Sequence, residues 1–99
     1  MRLRLRVAAA AARDFDRIAV YSRRRWGVNV AVRYVTGLGQ AIERIRRHPT
    51  IGADCSDIIE GIRRYRFQSH TIYYAVMSDS VRIVRILHIR MSPVRHLPQ

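Results

Sequence analysis

The sequence predicts an α+β domain with the element order β-α-α-β-β-β, in which a helical hairpin packs on a small, mostly antiparallel sheet. Three observations support this fold class. Residues 2–7 alternate arginine with aliphatic residues, whereas residues 8–47 carry apolar residues at three- and four-residue steps. Residues 62–89 then form three β-like runs separated by two and three residues, which are hairpin lengths. With 99 residues and no internal repeat, the chain is predicted to be one domain.

The first strand and the first helix follow from the change of period. Residues 2–7 have the period of two that is typical of a strand with one wet face, and a helix is predicted over residues 8–25. Its apolar stripe consists of Ala8, Ala11, Ala12, Phe15, Ile18 and Ala19, while Arg13, Asp14 and Arg17 lie off that stripe and are expected to be exposed. Gly27 is predicted to end the helix, with Trp26 as a core anchor at the bend.

The second helix is predicted over residues 29–47. Its apolar positions are Ala31, Tyr34, Val35, Leu38, Ala41, Ile42 and Ile45. Asn29 is expected to cap its start, and Pro49 to end it after His48. Gly37 and Gly39 are unfavourable inside a helix, which predicts a close approach of the two helices at these positions. Because only one or two residues join the helices, they should form an antiparallel hairpin.

The last part of the chain is predicted to contain a loop over residues 49–61 and strands over 62–67, 70–77 and 81–89. The core is expected to span residues 1–91, and residues 92–99 to form a partly mobile tail.

The strand predicted over residues 81–89 mixes apolar residues with arginine on both faces. Because the hairpin can cover only one face of the sheet, the other is predicted to be a semi-apolar surface bearing arginines, suited to an acidic amphipathic partner segment. Tyr73 and Tyr74 should point to opposite faces, one into the core and one toward the partner.

Charge and composition limit the function classes. The chain has a net charge of +12, and all 19 of its basic residues are arginine. An apolar content of 48% excludes a disordered basic tail. The lone Cys55 excludes an intramolecular disulfide and any multi-cysteine metal site, and no other ligand spacing or phosphate-binding loop predicts a metal or cofactor. The charge predicts an anionic partner, either nucleic acid or an acidic protein segment.

The apolar run near the N-terminus bears on the compartment. It covers residues 7–12, which is shorter than the roughly 7–15 apolar residues of a secretory signal. No stretch approaches the roughly 18 apolar residues of a membrane span. The sequence therefore predicts a cytoplasmic protein without a membrane partner, whose Cys55 is reduced and inert.

The residues that carry a family resemblance are spread along almost the whole chain. They are Ala12, Asp14, Phe15, Ile18, Tyr21, Trp26, Gly27, Ala31, Tyr34, Leu38, Pro49 and Gly52, then the stretches 63–66, 70–74, 81–91 and 95–97. The most specific combination is Arg-Ile-Leu-His-x-Arg-Met at 85–91 after Tyr-x-x-x-x-His-x-Ile-Tyr-Tyr at 65–74. With these residues the chain resembles the ParE branch of the RelE/ParE toxin superfamily, the toxins of bacterial type II toxin–antitoxin modules.

This resemblance implies a fold, a partner and a target. The fold is the same β-α-α-β-β-β arrangement, and the protein would be a cytoplasmic toxin neutralised by a ParD-like antitoxin in a hetero-oligomer. The acidic C-terminal segment of the antitoxin would wrap the toxin, and operator DNA would be bound only through the antitoxin. ParE toxins are described as poisoning DNA gyrase, whereas the RelE branch cleaves mRNA in the ribosomal A site.

The chemistry available in the sequence favours the gyrase-directed branch. RNA cleavage needs a general base, a general acid and cations for the developing charge. Arg64, Arg66, His88 and Arg90 are the candidates, with Tyr65 or Tyr73 as a proton donor. Arginine stays protonated and is a poor base, and the lysines common in RelE-type sites are absent. We therefore predict a non-enzymatic toxin, with a ribosome-dependent endoribonuclease as the alternative.

The candidate contacts for the antitoxin or the target lie in the strands and just after them. They are Arg64, Arg66, Tyr73, Arg82, Arg85, His88, Arg90 and Met91. The run of arginines at 23–25 is expected to form a solvated basic face. A third possibility is a basic nucleic-acid-binding module, which predicts DNA binding that falls steeply with salt.

Overall fold

The computed structural model describes residues 2–98 and confirms the predicted α+β class with its helical hairpin. Its elements are β1 (Arg4–Val7), α1 (Ala9–Trp26), α2 (Val28–Arg47), β2 (Ala53–Asp54), β3 (Ile62–Phe67), β4 (His70–Val76), β5 (Ser80–His88) and α3 (Pro93–His96). Met1 and Gln99, which belong to the predicted domain and tail, lie outside the described residues. Two elements were not predicted: β2, which lies in the segment expected to be a loop, and α3, which lies in the tail. Both are too short to show a period in the sequence.

The five strands form one sheet in the order β1-β5-β4-β3-β2. β1 runs parallel to β5, and the other three pairs are antiparallel, so the sheet is mostly antiparallel, as the sequence predicted. The pairing of β1 with β5 ends where Val7 lies beside Ile83, because the chain then turns into α1. Beyond Ile83, β5 therefore pairs with a strand only on its β4 side.

The helical hairpin covers one face of the sheet and forms the main core with it. Its buried residues are Ala11, Ile18, Leu38, Ala41, Ile42, Ile45, Ile72, Tyr74, Val81, Ile83 and Ile86. Tyr65 and Phe67 of β3 pack against this cluster, so alternation along the strand places Arg64 and Arg66 on the other face. We call these the helix face and the outer face of the sheet.

The outer face has a smaller core of its own, which the sequence did not predict. It contains Cys55, Ile62, Tyr73, Leu87 and Leu97, because the segment after β2 and the end of the chain fold over the strands. Tyr73 is only 5% exposed, so the expectation that one of the two neighbouring tyrosines faces a partner is wrong: both are buried. Burial also raises the pKa of the Cys55 thiol, as expected for an inert cysteine. The tail predicted to be partly mobile thus contributes a buried leucine to the sheet.

Several local predictions about the helices are wrong. Gly27, with φ of +92°, joins the two helices directly, so that Asn29 lies inside the first turn of α2 and does not cap it. Gly37 faces Phe67 of β3 rather than α1, while a Cβ on Gly39 would meet nothing within 4 Å. Trp26 is not a core anchor but is 57% exposed, because the short connection places it at the tip of the hairpin.

Candidate functional site

Asp14 shows how a residue that the sequence predicts to be exposed can be central to the structure. It is 6% exposed and accepts two hydrogen bonds from Arg85, at 2.7 Å from Nε and 2.9 Å from Nη2. Arg85 also donates to the carbonyl oxygen of His96 at 2.9 Å. The ion pair raises the pKa of the Arg85 guanidinium. Arg85, predicted to contact the antitoxin or the target, therefore has its donors directed into the protein.

The four residues named for RNA cleavage do not converge. Arg64 and Arg66 lie on the outer face, where both are exposed, and Arg66 donates to the carbonyl oxygen of Gln68 at 2.8 Å. His88 lies instead beside His70, which is hydrogen-bonded to α2 on the helix face. Arg90 is exposed in the turn after β5. The sheet itself therefore separates the arginine pair from the histidine.

The other predicted contact residues remain accessible, with the exception of the buried Tyr73. Arg82 is exposed on β5, beside Arg6 of β1 and Ala75 of β4. Met91 follows Arg90 in the turn and is 37% exposed. The exposed arginines Arg64, Arg66, Arg82 and Arg90 thus provide positive charge on β3, on β5 and just beyond β5, whereas Met91 is apolar.

A hollow opens between the tip of the hairpin and the ends of β4 and β5. We call it the histidine hollow; its walls include Tyr21, Trp26, Tyr34, Gln68, His70 and His88, and its volume is about 320 Å³. Tyr34 Oη lies 2.6 Å from His70 Nδ1, and the rings of His70 and His88 meet edge to face with centroids 5.4 Å apart. The backbone N–H of Arg90 donates to His88 Nδ1 at 3.1 Å.

The electrostatics of the hollow follow from its partial burial. Desolvation, followed by the neighbouring His88, lowers the pKa of His70, so that its neutral form is favoured at pH 7. Desolvation also raises the pKa of Tyr34, so its hydroxyl stays protonated. The sequence analysis named His88 as a candidate contact but did not group it with Tyr34 and His70, because Tyr34 lies on a regular apolar stripe and the two histidines lie on different strands.

The tip and the sheet-distal side of the hairpin carry exposed apolar residues. They include Val20, Tyr21, Trp26, Val28 and Val32. The guanidinium carbon of Arg25 lies 4.4 Å from the centroid of the Trp26 ring, so one of the three consecutive arginines stacks on that ring rather than being fully solvated. The hairpin thus combines apolar surface with positive charge.

Within residues 2–98, no helix is long and apolar enough to cross a membrane, and no three potential metal ligands come together.

Comparison with known proteins places this arrangement in a family. Residues 5–93 match the family model of the ParE toxin of the type II toxin–antitoxin system parDE. The chain belongs to the ParE toxin family. It is 38% identical over 92 residues to toxin ParE1 of Caulobacter vibrioides, covering 93% of this chain and 95% of that protein. It is 40% identical over 74 residues to toxin ParE1 of Mycobacterium tuberculosis, covering 74% and 76%.

Solved structures agree with the ParE assignment at the level of the fold. A chain of the chromosomal ParDE toxin–antitoxin system from P. aeruginosa matches with a TM-score of 0.79 at 19% identity, covering 90% of this chain and 98% of that one. The YoeB dimer from Staphylococcus aureus matches with a TM-score of 0.62 at 17% identity, covering 89% and 98%. The ParE-like fold of the RelE/ParE superfamily, expected from the resemblance, is therefore confirmed.

Proposed function

We propose that this ParE-family toxin inhibits DNA gyrase in the cytoplasm and is neutralised by a ParD-like antitoxin. The family match over residues 5–93 supports the gyrase target. The main observation against RNA cleavage is that the sheet separates Arg64 and Arg66 from His88. A cleavage site needs its base, acid and cations around one phosphate, whereas these residues lie on opposite faces of the sheet.

The charge distribution supports an acidic antitoxin segment as the neutralising partner. Arg64, Arg66 and Arg82 are all exposed on the sheet, and no acidic residue occurs in β3, β4 or β5. A basic surface attracts an acidic chain and accelerates its association. Operator DNA would then be reached through the antitoxin, in a toxin–antitoxin hetero-oligomer.

The decisive experiment measures both activities with the same protein. Purified gyrase is assayed for supercoiling of relaxed plasmid with increasing toxin, and cells expressing the toxin are examined by primer extension on abundant mRNAs. We expect inhibited supercoiling that is restored by adding the antitoxin, together with intact mRNA. Normal supercoiling at excess folded toxin would refute the gyrase target, and cuts at codon spacing would favour the endoribonuclease.

A further inference from the structure

The hydrogen bonds at the two imidazoles of the histidine hollow bear on which ring nitrogen carries the hydrogen. A backbone N–H can only donate, so His88 Nδ1 accepts from Arg90, and the hydrogen of neutral His88 is on Nε2. Tyr34 Oη accepts from the N–H of Ser69 at 3.3 Å and lies 2.6 Å from His70 Nδ1, a contact in which either the hydroxyl or the ring nitrogen can donate. With the hydroxyl as the donor, neutral His70 also carries its hydrogen on Nε2.

In these tautomers both Nε2–H groups are open donors. Neither has a hydrogen-bond partner among residues 2–98, and neither nitrogen is sealed from solvent. The edge-to-face contact of the rings keeps the two histidines in one hollow. In these tautomers both Nδ1 atoms are occupied as acceptors, so neither neutral imidazole offers a free lone pair to abstract a proton. The pair is consequently arranged for binding rather than for acid–base catalysis.

The surroundings of these donors indicate what they bind. Among the described residues that line the hollow, none is acidic and none is arginine, whereas Tyr21 and Trp26 supply aromatic surface. Arg25, stacked on Trp26, adds positive charge beside that ring. N–H donors beside aromatic rings, with a guanidinium stacked on one of those rings, suit a carboxylate next to an apolar side chain.

We propose that the histidine hollow binds a carboxylate side chain of the antitoxin, with His70 Nε2–H and His88 Nε2–H as its donors. An apolar neighbour of that carboxylate would pack against Tyr21 and Trp26. The inference rests on the proposed neutralisation by an acidic antitoxin segment and deepens it by naming a site for one acidic residue. It also gives Tyr34 a role, since its hydroxyl fixes the tautomer of His70.

Matched substitutions can separate the Nε2 donor from the Nδ1 acceptor. In His88→Asn the amide oxygen can replace Nδ1 and accept from Arg90, but no donor remains at the Nε2 position. In His88→Gln the longer side chain can return an N–H donor to that position. His70→Asn and His70→Gln form the same pair. We expect each Asn variant to bind the antitoxin about ten- to hundredfold more weakly and each Gln variant to stay within a few-fold of wild type.

The binding partner in this test is the cognate ParD-like antitoxin, with dissociation constants measured by calorimetry. Failure of the wild-type toxin to bind it would overturn the proposed neutralisation and this site with it. Wild-type binding that both Asn variants retain would overturn the site alone. Thermal unfolding of each variant, compared with wild type, shows whether a loss of binding reflects a loss of fold.

Spectra of the unmodified protein provide a second readout if an Asn variant does not fold. Long-range ¹H–¹⁵N spectra of histidine-labelled toxin should show both rings as Nε2–H tautomers, and both Nε2–H resonances should shift when the antitoxin is added. An Nδ1–H tautomer for either ring, or Nε2–H resonances that do not move on binding, would refute the proposal.

Discussion

Asp14 of α1 and Arg85 of β5 are separated by 71 residues in the chain and form a doubly hydrogen-bonded ion pair. Asp14 Oδ2 also accepts from the backbone N–H of Ile86 at 2.9 Å. This N–H lies beyond the end of the β1–β5 pairing, so a helix side chain replaces the missing strand. The pair thereby fixes α1 and β5 to each other, and His96 to both.

Removing the carboxylate should destabilise the fold strongly. In Asp14→Ala the Arg85 guanidinium loses its counter-charge and the Ile86 N–H loses its acceptor, and we expect a loss of about 3–5 kcal/mol of unfolding free energy. Urea denaturation measures it. Asp16→Ala, at an exposed position in the same helix, serves as the control and should change stability by no more than about 0.5 kcal/mol. Equal losses in the two variants would contradict the role of the pair.

Two glycines should respond in opposite ways to the same substitution. A Cβ on Gly52 would lie 2.5 Å from Tyr74 Oη and 2.7 Å from the carbonyl oxygen of Arg64. Gly52→Ala should therefore lower the unfolding free energy by on the order of 1–3 kcal/mol. The new Cβ displaces the buried Tyr74 hydroxyl, which accepts from the Gly52 N–H and donates to the Pro49 carbonyl oxygen. Gly39→Ala should raise stability by up to about 1 kcal/mol, since Ala is the better helix former and space is open there. Chemical denaturation of both variants tests this, and a stabilised Gly52→Ala would contradict the packing.

These examples show which parts of the molecule the sequence could predict. Periodicity predicted the hairpin and four of the five strands, because it depends on neighbours along the chain. It could not predict the partners of Asp14, which lies off the apolar stripe yet meets a strand edge 71 residues later. Likewise, the alternation that assigned Tyr73 to an open face carries no information about the segment that folds over that face. The histidine hollow was missed for the same reason, since the hairpin and two strands build it together.

The lowered pKa of His70 should make stability depend on pH. Burial, followed by the charge of His88, disfavours the protonated form in the folded state, whereas the unfolded histidine titrates near 6.5. Between those two pKa values the unfolded chain binds more protons. Stability from this group is therefore present above about pH 6.5 and is lost as the pH falls toward the folded-state value.

The measurement is the unfolding free energy of wild type and His70→Gln at a series of pH values from 7.5 to about 5. Wild type should lose more stability over this interval than the variant, by about 1.4 kcal/mol for each pKa unit between the folded and unfolded histidine. The carboxylates are the same in both proteins, so their contribution to the pH dependence of the unfolding free energy cancels when the two curves are subtracted. Parallel curves would show that His70 does not titrate differently in the two states.

The exposed arginines of the sheet should control how fast the antitoxin associates. If Arg64, Arg66 and Arg82 attract an acidic segment, changing all three to glutamate should slow association by roughly tenfold at low salt. The effect should shrink as salt is added, because exposed charges are screened.

The control is Arg33→Glu on α2, which reverses one charge away from the sheet. It should slow association less than Arg64→Glu, Arg66→Glu or Arg82→Glu alone. Stopped-flow association rates at several ionic strengths test this. An equal effect of Arg33→Glu and Arg82→Glu would show that only the net charge attracts the antitoxin, and would refute a docking role for the sheet arginines.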